Sequence, residues 1–204
     1  MLALGGCVTR ETTIETEEQI RQVQANQSVV FGRIEWLEDG EKKKIGSGVF
    51  TMSLEPQLVR LEDRARINGE VNEGGRFAWP LEPGTYLMNK IAYRDPWSGN
   101  YFVTPKVAFA VLENGKTYYI GVLECDFERK RDFIGGLSGS VTCRTLDQSD
   151  QDYEYVEKKF AITGEDIEKS VMIHDTRLPG TVDTTAEFNL AMSIVNAILY
   201  GASQ

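Results

Sequence analysis

The sequence predicts a mainly β protein: an antiparallel β-sandwich with short helices and a C-terminal amphipathic helix. The first observation is that apolar and polar residues alternate from residue 28 onward, in segments rich in β-branched and aromatic side chains. Gly, Asn and Asp punctuate these segments at short intervals, as tight turns require. Helical periodicity begins only in the last third of the chain. At 204 residues, the chain is long enough for one sizeable core.

The first predicted strands lie between residues 28 and 62. Residues 28–37, with the sequence SVVFGRIEWL, form the first strand, and the DGEKKK segment after it predicts a turn. Residues 44–54 (KIGSGVFTMSL) and 57–62 (QLVRLE) predict a second strand and a short third one. We expect these segments to begin a β-sandwich domain that spans residues 28–147.

The segment GGRFAWPLEPGTYLMNKIAY predicts a hairpin. Phe77, Trp79 and Leu81 fall at alternate positions, so one strand face carries all three into a core while the residues between them face the other way. Pro83-Gly84 supplies the turn, because proline fixes φ and glycine tolerates positive φ. The chain then returns as a second strand.

A second hairpin is predicted immediately downstream. Residues 101–112 form its first strand, residues 113–115 close it with an Asn-Gly turn, and residues 116–127 form its second strand. A further strand is expected at residues 139–146. Six to eight short strands joined by tight turns are typical of an antiparallel sandwich.

A helical C-terminal addition is predicted over residues 148–204. Residues 149–160 and 163–173 have the pattern of short helices. The second of these carries Thr163 and Asp166 in a capping arrangement. We expect this addition to pack on the sandwich.

The last predicted helix begins at Thr184, which forms a capping box with Glu187, and ends at Gly201. Most of its remaining surface is apolar, so we expect it to dock onto the sandwich or onto a subunit partner. The alternative is insertion into a membrane interface. Its polar residues form one narrow stripe: Asn189, Ser193 and Asn196.

The first seven residues, MLALGGC, end in a motif that resembles the lipobox of bacterial lipoproteins. Leu4, Gly5 and Gly6 match the recognition residues, and the resemblance implies that Cys7 is the lipidated residue after cleavage. Residues 1–7 lack the basic and apolar front part of such a signal, and we expect that part upstream of Met1.

Residues 8–27 are rich in Thr, Glu and Gln, which predicts a polar tether between the lipid and the domain. Val8 stands where an Asp would hold an enterobacterial lipoprotein at the inner membrane. The resemblance therefore implies an outer membrane lipoprotein in the bacterial cell envelope, facing the periplasm or the surface. No apolar run reaches the roughly 20 residues that span a bilayer, so the predicted membrane contact is the lipid anchor.

The stretch GGRFAWPLEPGTY is similar to the signature of carboxypeptidase regulatory-like and transthyretin-like β-sandwich domains, which have an Ig-like architecture. The similarity covers roughly residues 28–94 and includes the opening strand VVFGRIEWL. It implies a module that acts as a non-catalytic partner or binding domain. The positions that match are Gly75, Phe77, Trp79, Leu81, Pro83, Gly84 and Tyr86.

Composition and incomplete motifs argue against several functions. With 31 acidic and 22 basic residues, the chain repels nucleic acid. The GKT tripeptide is no phosphate loop, because Ala110 stands where that motif needs glycine. The GLSGS segment ends in Ser140 where a nucleophile elbow needs glycine. DQSDQDYEYVEK lacks the required Gly and Glu of a calcium loop at Asp152 and Lys158, which predicts a solvated acidic loop. We expect no cofactor, no metal and no catalytic residue.

Cys125 and Cys143 lie near the end of one predicted strand and within another. In an oxidising compartment we expect them to form a disulfide. In a cytosolic protein of the same fold they would instead be two buried thiols. An alternative hypothesis is that the protein is a secreted hydrolase. In that case Cys125 or Cys143 would be the nucleophile, and His174, the single histidine, would be the general base.

An exposed aromatic residue is predicted at Trp97, in the loop-like segment RDPWSGNYF. Its indole, beside Arg94 and Asn100, could stack on a sugar or on a partner surface. The sequence as a whole predicts a non-enzymatic, lipid-anchored cell-envelope protein that acts as a binding or structural accessory module. Its expected partners are the membrane through the anchor and a protein or glycan, with no nucleic acid.

Overall fold

A computed structural model describes residues 8–11, 13–46, 51–95, 99–131, 137–199 and 201. As the sequence predicts, the protein is mainly β, with two antiparallel-rich sheets in a sandwich and three helices among the described residues. None of those helices combines the length and the apolar character that crossing a bilayer requires.

Sheet 1 has the strand order β1-β5-β4-β7-β9-β13, with β8 also beside β7. The first half of the long strand β7 pairs with β9 and its second half pairs with β8. The strands of sheet 1 are β1 (Val8–Glu11), β4 (Ser53–Arg60), β5 (Arg66–Gly69), β7 (Gly84–Asp95), β8 (Gly99–Val103), β9 (Val107–Val111) and β13 (Ile173–His174).

Sheet 2 has the order β11-β10-β2-β3, with β6 also beside β2 and β12 beside β10. Its central pair, β2 and β10, is parallel, as are the pairs β10–β12 in this sheet and β1–β5 in sheet 1. The strands of sheet 2 are β2 (Ser28–Glu38), β3 (Glu41–Lys42), β6 (Arg76–Leu81), β10 (Thr117–Arg131), β11 (Leu137–Leu146) and β12 (Ile167–Lys169).

The main core lies between the two sheets and is rich in aromatic residues. Trp36 of β2 stacks on Tyr93 of β7 with ring centroids 4.8 Å apart, which joins the two sheets directly. Phe77 and Trp79 of β6 are both almost fully buried in this core, as the alternation in the sequence predicts. Aromatic pairs of this kind stabilise a core beyond the area that they bury.

Helices cover both outer faces of the sandwich. Helix α3 (Thr185–Leu199) packs on sheet 1, while α1 (Glu17–Gln24) and α2 (Ser149–Phe160) pack on sheet 2. Strands covered on both faces have few solvent-facing positions, so β2 is buried along almost its whole length and all five residues of β9 are buried.

Both predicted hairpins are wrong in the same way. The Pro83-Gly84 turn leads from β6 in sheet 2 to β7 in sheet 1, and the Asn114-Gly115 turn leads from β9 in sheet 1 to β10 in sheet 2. Alternation tells which face of a strand is buried, and it does not tell with which strand that strand pairs. Each turn is therefore a corner between the sheets.

Three other element predictions are corrected by the structure. Of the predicted strand 44–54, residues 47–50 lie outside the described residues, and Ile45 and Met52 on either side of them form an isolated bridge. One strand, β4, then runs through Ser53–Arg60, where the sequence predicts the end of one strand and the start of another. The predicted strand 101–112 is divided into β8 and β9 at Thr104–Lys106. The predicted helix 163–173 is a 3₁₀ turn at Gly164–Asp166, followed by β12 and β13.

The prediction that residues 8–27 form a tether is also wrong. Strand β1 pairs with β5, and α1 begins with a capping box between Thr16 and Gln19. Ile20 of α1 is 2% exposed against sheet 2. A single apolar face among many Thr, Glu and Gln residues was enough to hold this segment on the domain.

Two helices agree with their predictions. Helix α2 covers residues 149–160, as the sequence predicts. The capping box of α3 is present, since Glu187 N donates to Thr184 Oγ1 (3.2 Å) and Thr184 N donates to Glu187 Oε2 (3.0 Å). The predicted polar stripe of α3 is exposed: Asn189, Ser193 and Asn196.

Candidate functional site

Two of the three residues predicted to form a binding site lie opposite each other. Arg94 near the end of β7 pairs in register with Asn100 of β8. Trp97, the third, lies outside the described residues, as does Cys7. The binding role of Trp97 and the lipidation of Cys7 therefore stay predictions from the sequence.

Arg94 lines a groove of about 520 Å³, which we call the Arg94 groove. It lies between the start of β4, the end of β7 and the chain that follows β5. Its volume falls within the roughly 300–1,000 Å³ of small-molecule sites. The lining residues are Ile45, Gly46, Ser53, Leu54, Glu55, Glu70, Val71, Asn72, Glu73 and Arg94.

The Arg94 groove combines hydrogen-bond donors, acceptors and an apolar wall. The Arg94 guanidinium, which is 64% exposed, lies 3.5 Å from the Glu55 carboxylate across the strand pair. A guanidinium has five donor hydrogens, so this one contact leaves donors that can reach a ligand. Glu55 and Glu73 offer carboxylate acceptors, and the partly buried Val71 offers apolar surface.

A second groove, of about 430 Å³, lies between the edges of the two sheets, and we call it the His174 groove. Sheet 1 contributes the β8–β9 connection and the region of β13, and sheet 2 contributes β11. Both Cys143 and His174 line it. These are two of the residues that the hydrolase hypothesis requires. The connectivity of the sheets, which the sequence did not predict, brings them to the same groove.

Cys125 and Cys143 form the disulfide that the sequence predicts. The two residues lie directly opposite each other on β10 and β11, with sulfurs 2.05 Å apart. Cys125 is fully buried and Cys143 is 8% exposed. A hydrolase that used either sulfur with His174 would first need this bond to be reduced, because the nucleophile is a free thiolate.

A buried polar cluster, which the sequence did not predict, lies between α2 and sheet 2. Arg33 of β2 donates to Gln148 Oε1 (2.6 Å), and its Nη1 lies 3.7 Å from Asp152 Oδ1. Tyr119 of β10 donates to Asp152 Oδ2 (3.0 Å) and accepts from Gln148 N (3.1 Å). Burial raises the pKa of the Asp152 carboxyl, and the charge of Arg33 opposes that shift.

This cluster corrects the prediction of a solvated acidic loop at residues 147–158. Asp152 is 3% exposed, inside a helix, and Arg33 is 6% exposed. The adjoining cavity has about 10 Å³, the size of a single water molecule. The one feature of the sequence that could have indicated this ion pair is the charged Arg33 within the otherwise apolar start of the strand SVVFGRIEWL. The cluster holds α2 in place, and its cavity is too small for an organic ligand.

The GKT tripeptide has a structural role. In the GKT tripeptide, Lys116 pairs with Glu168 at 3.2 Å, and Thr117 begins β10 instead of a helix. The described part of the chain contains no group of three His, Cys, Asp or Glu side chains that could hold a metal ion.

Comparison with known proteins gives no family for this chain. No family model, no curated protein and no solved structure matches it. Its similarity to carboxypeptidase regulatory-like and lipoprotein sequences therefore stays a prediction. The features that indicate a function are the two grooves and the side chains that line them.

Proposed function

We propose that this protein is a non-enzymatic, lipid-anchored protein of the bacterial cell envelope that binds a glycan in the Arg94 groove. The observation that carries the proposal is the composition of this groove. Arginine donors and carboxylate acceptors lie beside apolar side chains in a space of about 520 Å³.

A sugar presents the matching chemistry. Its hydroxyl groups both donate and accept hydrogen bonds, so they can pair with Glu55 and Glu73 as well as with Arg94. Its C–H face can lie on Val71. A small number of placed polar groups in a partly apolar groove is the usual composition of a small-molecule site.

Glycan binding can be tested with two matched arginine variants. The probe is a panel of immobilised neutral oligosaccharides, followed by calorimetric titration of the best binder. We expect Arg94→Ala to weaken binding by about tenfold, as loss of one charged hydrogen bond does.

The control for this test is Arg144→Ala. Arg144 resembles Arg94, because it is 68% exposed and contacts a glutamate, Glu124, on a neighbouring strand (2.6 Å). It lies on β11 and does not line the Arg94 groove. If no neutral saccharide binds saturably, or if both variants weaken binding equally, the glycan proposal is wrong.

The lipid anchor has its own test. Cells that express the full-length gene product should incorporate labelled palmitate into it, and Cys7→Ser should abolish the label. Cys125→Ala with Cys143→Ala should retain it, because these cysteines form the disulfide. A label that persists in Cys7→Ser would remove the anchor from the proposal and leave glycan binding to be judged separately.

A further inference from the structure

We propose that the outer edge of β11 is a docking site for an acidic, extended peptide segment of a partner protein, which adds to sheet 2 as a further strand. Among the described strands, β11 pairs with β10 alone. Gly139, Val141, Thr142 and Cys143 of this strand line the His174 groove. The edge therefore opens into a preformed groove of about 430 Å³ instead of onto a flat surface.

The backbone of β11 presents hydrogen-bonding groups to this groove. In an antiparallel pair, residues without mutual hydrogen bonds lie closest together and direct their N–H and C=O groups away from each other. The Cα atoms of Cys125 and Cys143 are 4.1 Å apart, which identifies this kind of pair. Because the register of β10 and β11 is regular, Gly139 and Val141 share this outward orientation. An added strand can bond to all three positions.

The strand also lacks the usual protection against pairing. Natural edge strands are commonly blocked by Pro or by charged side chains, especially Lys. β11, with the sequence LSGSVTCRTL, contains no Pro or Lys, and its one charged residue, Arg144, pairs with Glu124 of β10 outside the residues that line the groove. Gly139, Ser140 and Thr142 are exposed along it. This edge, unlike a protected one, can accept another strand.

The positive charge in the His174 groove favours an acidic partner. Lys106 is the one charged side chain in the lining of the groove, which contains no Asp or Glu among the described residues. The chain as a whole has 31 acidic and 22 basic residues, and the Arg94 groove contains three glutamates. Lys106 is held in position by its bond to Thr176 O (2.9 Å). Opposite charge across an interface favours the correct partner and repels others.

Apolar surface at the same groove favours alternating peptide sequences. Phe102, at 64% exposed, lines the groove, and the Lys90 ammonium lies 3.4 Å from its ring centroid. Val141 of β11 is partly buried on the core side. A strand with apolar residues on one face and acidic residues on the other matches both features.

The test uses a fluorescent peptide of alternating Val and Glu, titrated against the full chain at low salt and followed by anisotropy. We expect saturable binding, and we expect the Val-Lys peptide to bind about tenfold more weakly or worse. Val141→Pro should abolish binding of the Val-Glu peptide. Because the N–H of Val141 faces away from β10, proline there removes only the outward donor.

A second pair of variants keeps the proposal testable if Val141→Pro does not fold. Lys106→Glu should weaken binding about tenfold, whereas Lys116→Glu, a half-exposed lysine outside the groove, should not. Arg94→Ala should leave peptide binding unchanged, so this inference is independent of the glycan proposal.

Three outcomes would overturn the inference. The first is equal binding of the Val-Glu and Val-Lys peptides, and the second is no saturable binding of either. The third is a concentration-dependent dimer, seen by sedimentation, that Val141→Pro converts to a monomer without any peptide binding. That result would assign the edge to a second copy of this chain.

Discussion

The two outer faces of the sandwich are covered in different ways. On sheet 1, α3 makes an apolar contact in which Ala191 and Val195 are fully buried. On sheet 2, α2 contributes apolar residues such as Val156 and also places Asp152 against Arg33. Apolar contact stabilises a helix with little demand on its exact position, whereas a buried ion pair stabilises only one arrangement.

Helices α3 and α2 also differ in the hydrogen bonds at their first residues. Helix α3 has its own capping box of Thr184 and Glu187. Helix α2 begins after Gln148, whose side chain makes no capping bond and instead accepts from Arg33 in the sheet. The start of α3 is therefore determined by local sequence. The start of α2 combines a local bond, from Ser149 N to Asp147 Oδ1 (3.1 Å), with a contact to a residue distant in the chain.

The largest effect should come from breaking the ion pair on sheet 2. Arg33→Ala removes the cation that pairs with the buried Asp152 carboxylate, which should lower the free energy of unfolding by about 3–5 kcal/mol. The double variant Arg33→Met with Asp152→Leu should lose much less, since it removes both charges. Denaturant unfolding measures both, and equal losses in the two variants would show that packing, not charge, is responsible.

Loss of the disulfide should have the next largest effect. Cys125 and Cys143 are separated by 18 positions, and a loop of that size contributes about 3 kcal/mol in the chain-entropy model. We expect Cys125→Ala with Cys143→Ala to lose this amount in denaturant unfolding. Hydrogen exchange should rise in β10 and β11 and stay unchanged in α3. A rise of equal size in α3 would mean that the two faces are not independent.

An apolar truncation tests the contact on sheet 1. Ile194 is 9% exposed on the buried face of α3, and Ile194→Ala should lower the free energy of unfolding by about 2–3 kcal/mol. Leu190 lies on the same helix and is 49% exposed. Leu190→Ala should therefore change stability by less than about 0.5 kcal/mol. Similar losses for both would contradict the buried face assigned to α3.

The smallest effect should come from the cap of α3. Thr184→Ala removes the acceptor for Glu187 N, which should cost about 1 kcal/mol in thermal or denaturant unfolding. Ser193→Ala, an exposed position of the same helix, should cost almost nothing. A loss at Ser193 as large as that at Thr184 would contradict the capping role.

Local patterns predicted some of these features and not others. The cap and the polar stripe of α3 follow from residues three or four apart, so the sequence reveals them. The pairing of β6 with β2, and of β10 with β2 and β11, depends on residues far apart in the chain. The alternation around Phe77 and Trp79 indicated a buried face and could not indicate the strand beside it.

The candidate sites also differ in whether their residues are close together or far apart in the sequence. Arg94 and Asn100 are close in sequence, and their proximity was predictable. The His174 groove was not, because it requires β11 of one sheet to approach β13 of the other. The acidic segment that begins at Asp147 lacks the Gly and Glu of a calcium loop, which predicted a solvated loop. Asp152 is buried instead against Arg33, a residue distant in the chain that no local pattern connects with it.

The corners at Pro83-Gly84 and Asn114-Gly115 have a consequence for how the chain folds. Because each corner moves the chain to the opposite sheet, neither can form as a local hairpin early in folding. Strand β2 lies far before β10, its central partner, in the chain. The apolar residues of β2 therefore stay exposed until the two strands meet. Folds dominated by such distant pairings form slowly, on the order of milliseconds to seconds. The unfolded chain is therefore most prone to aggregation until β2 and β10 have paired.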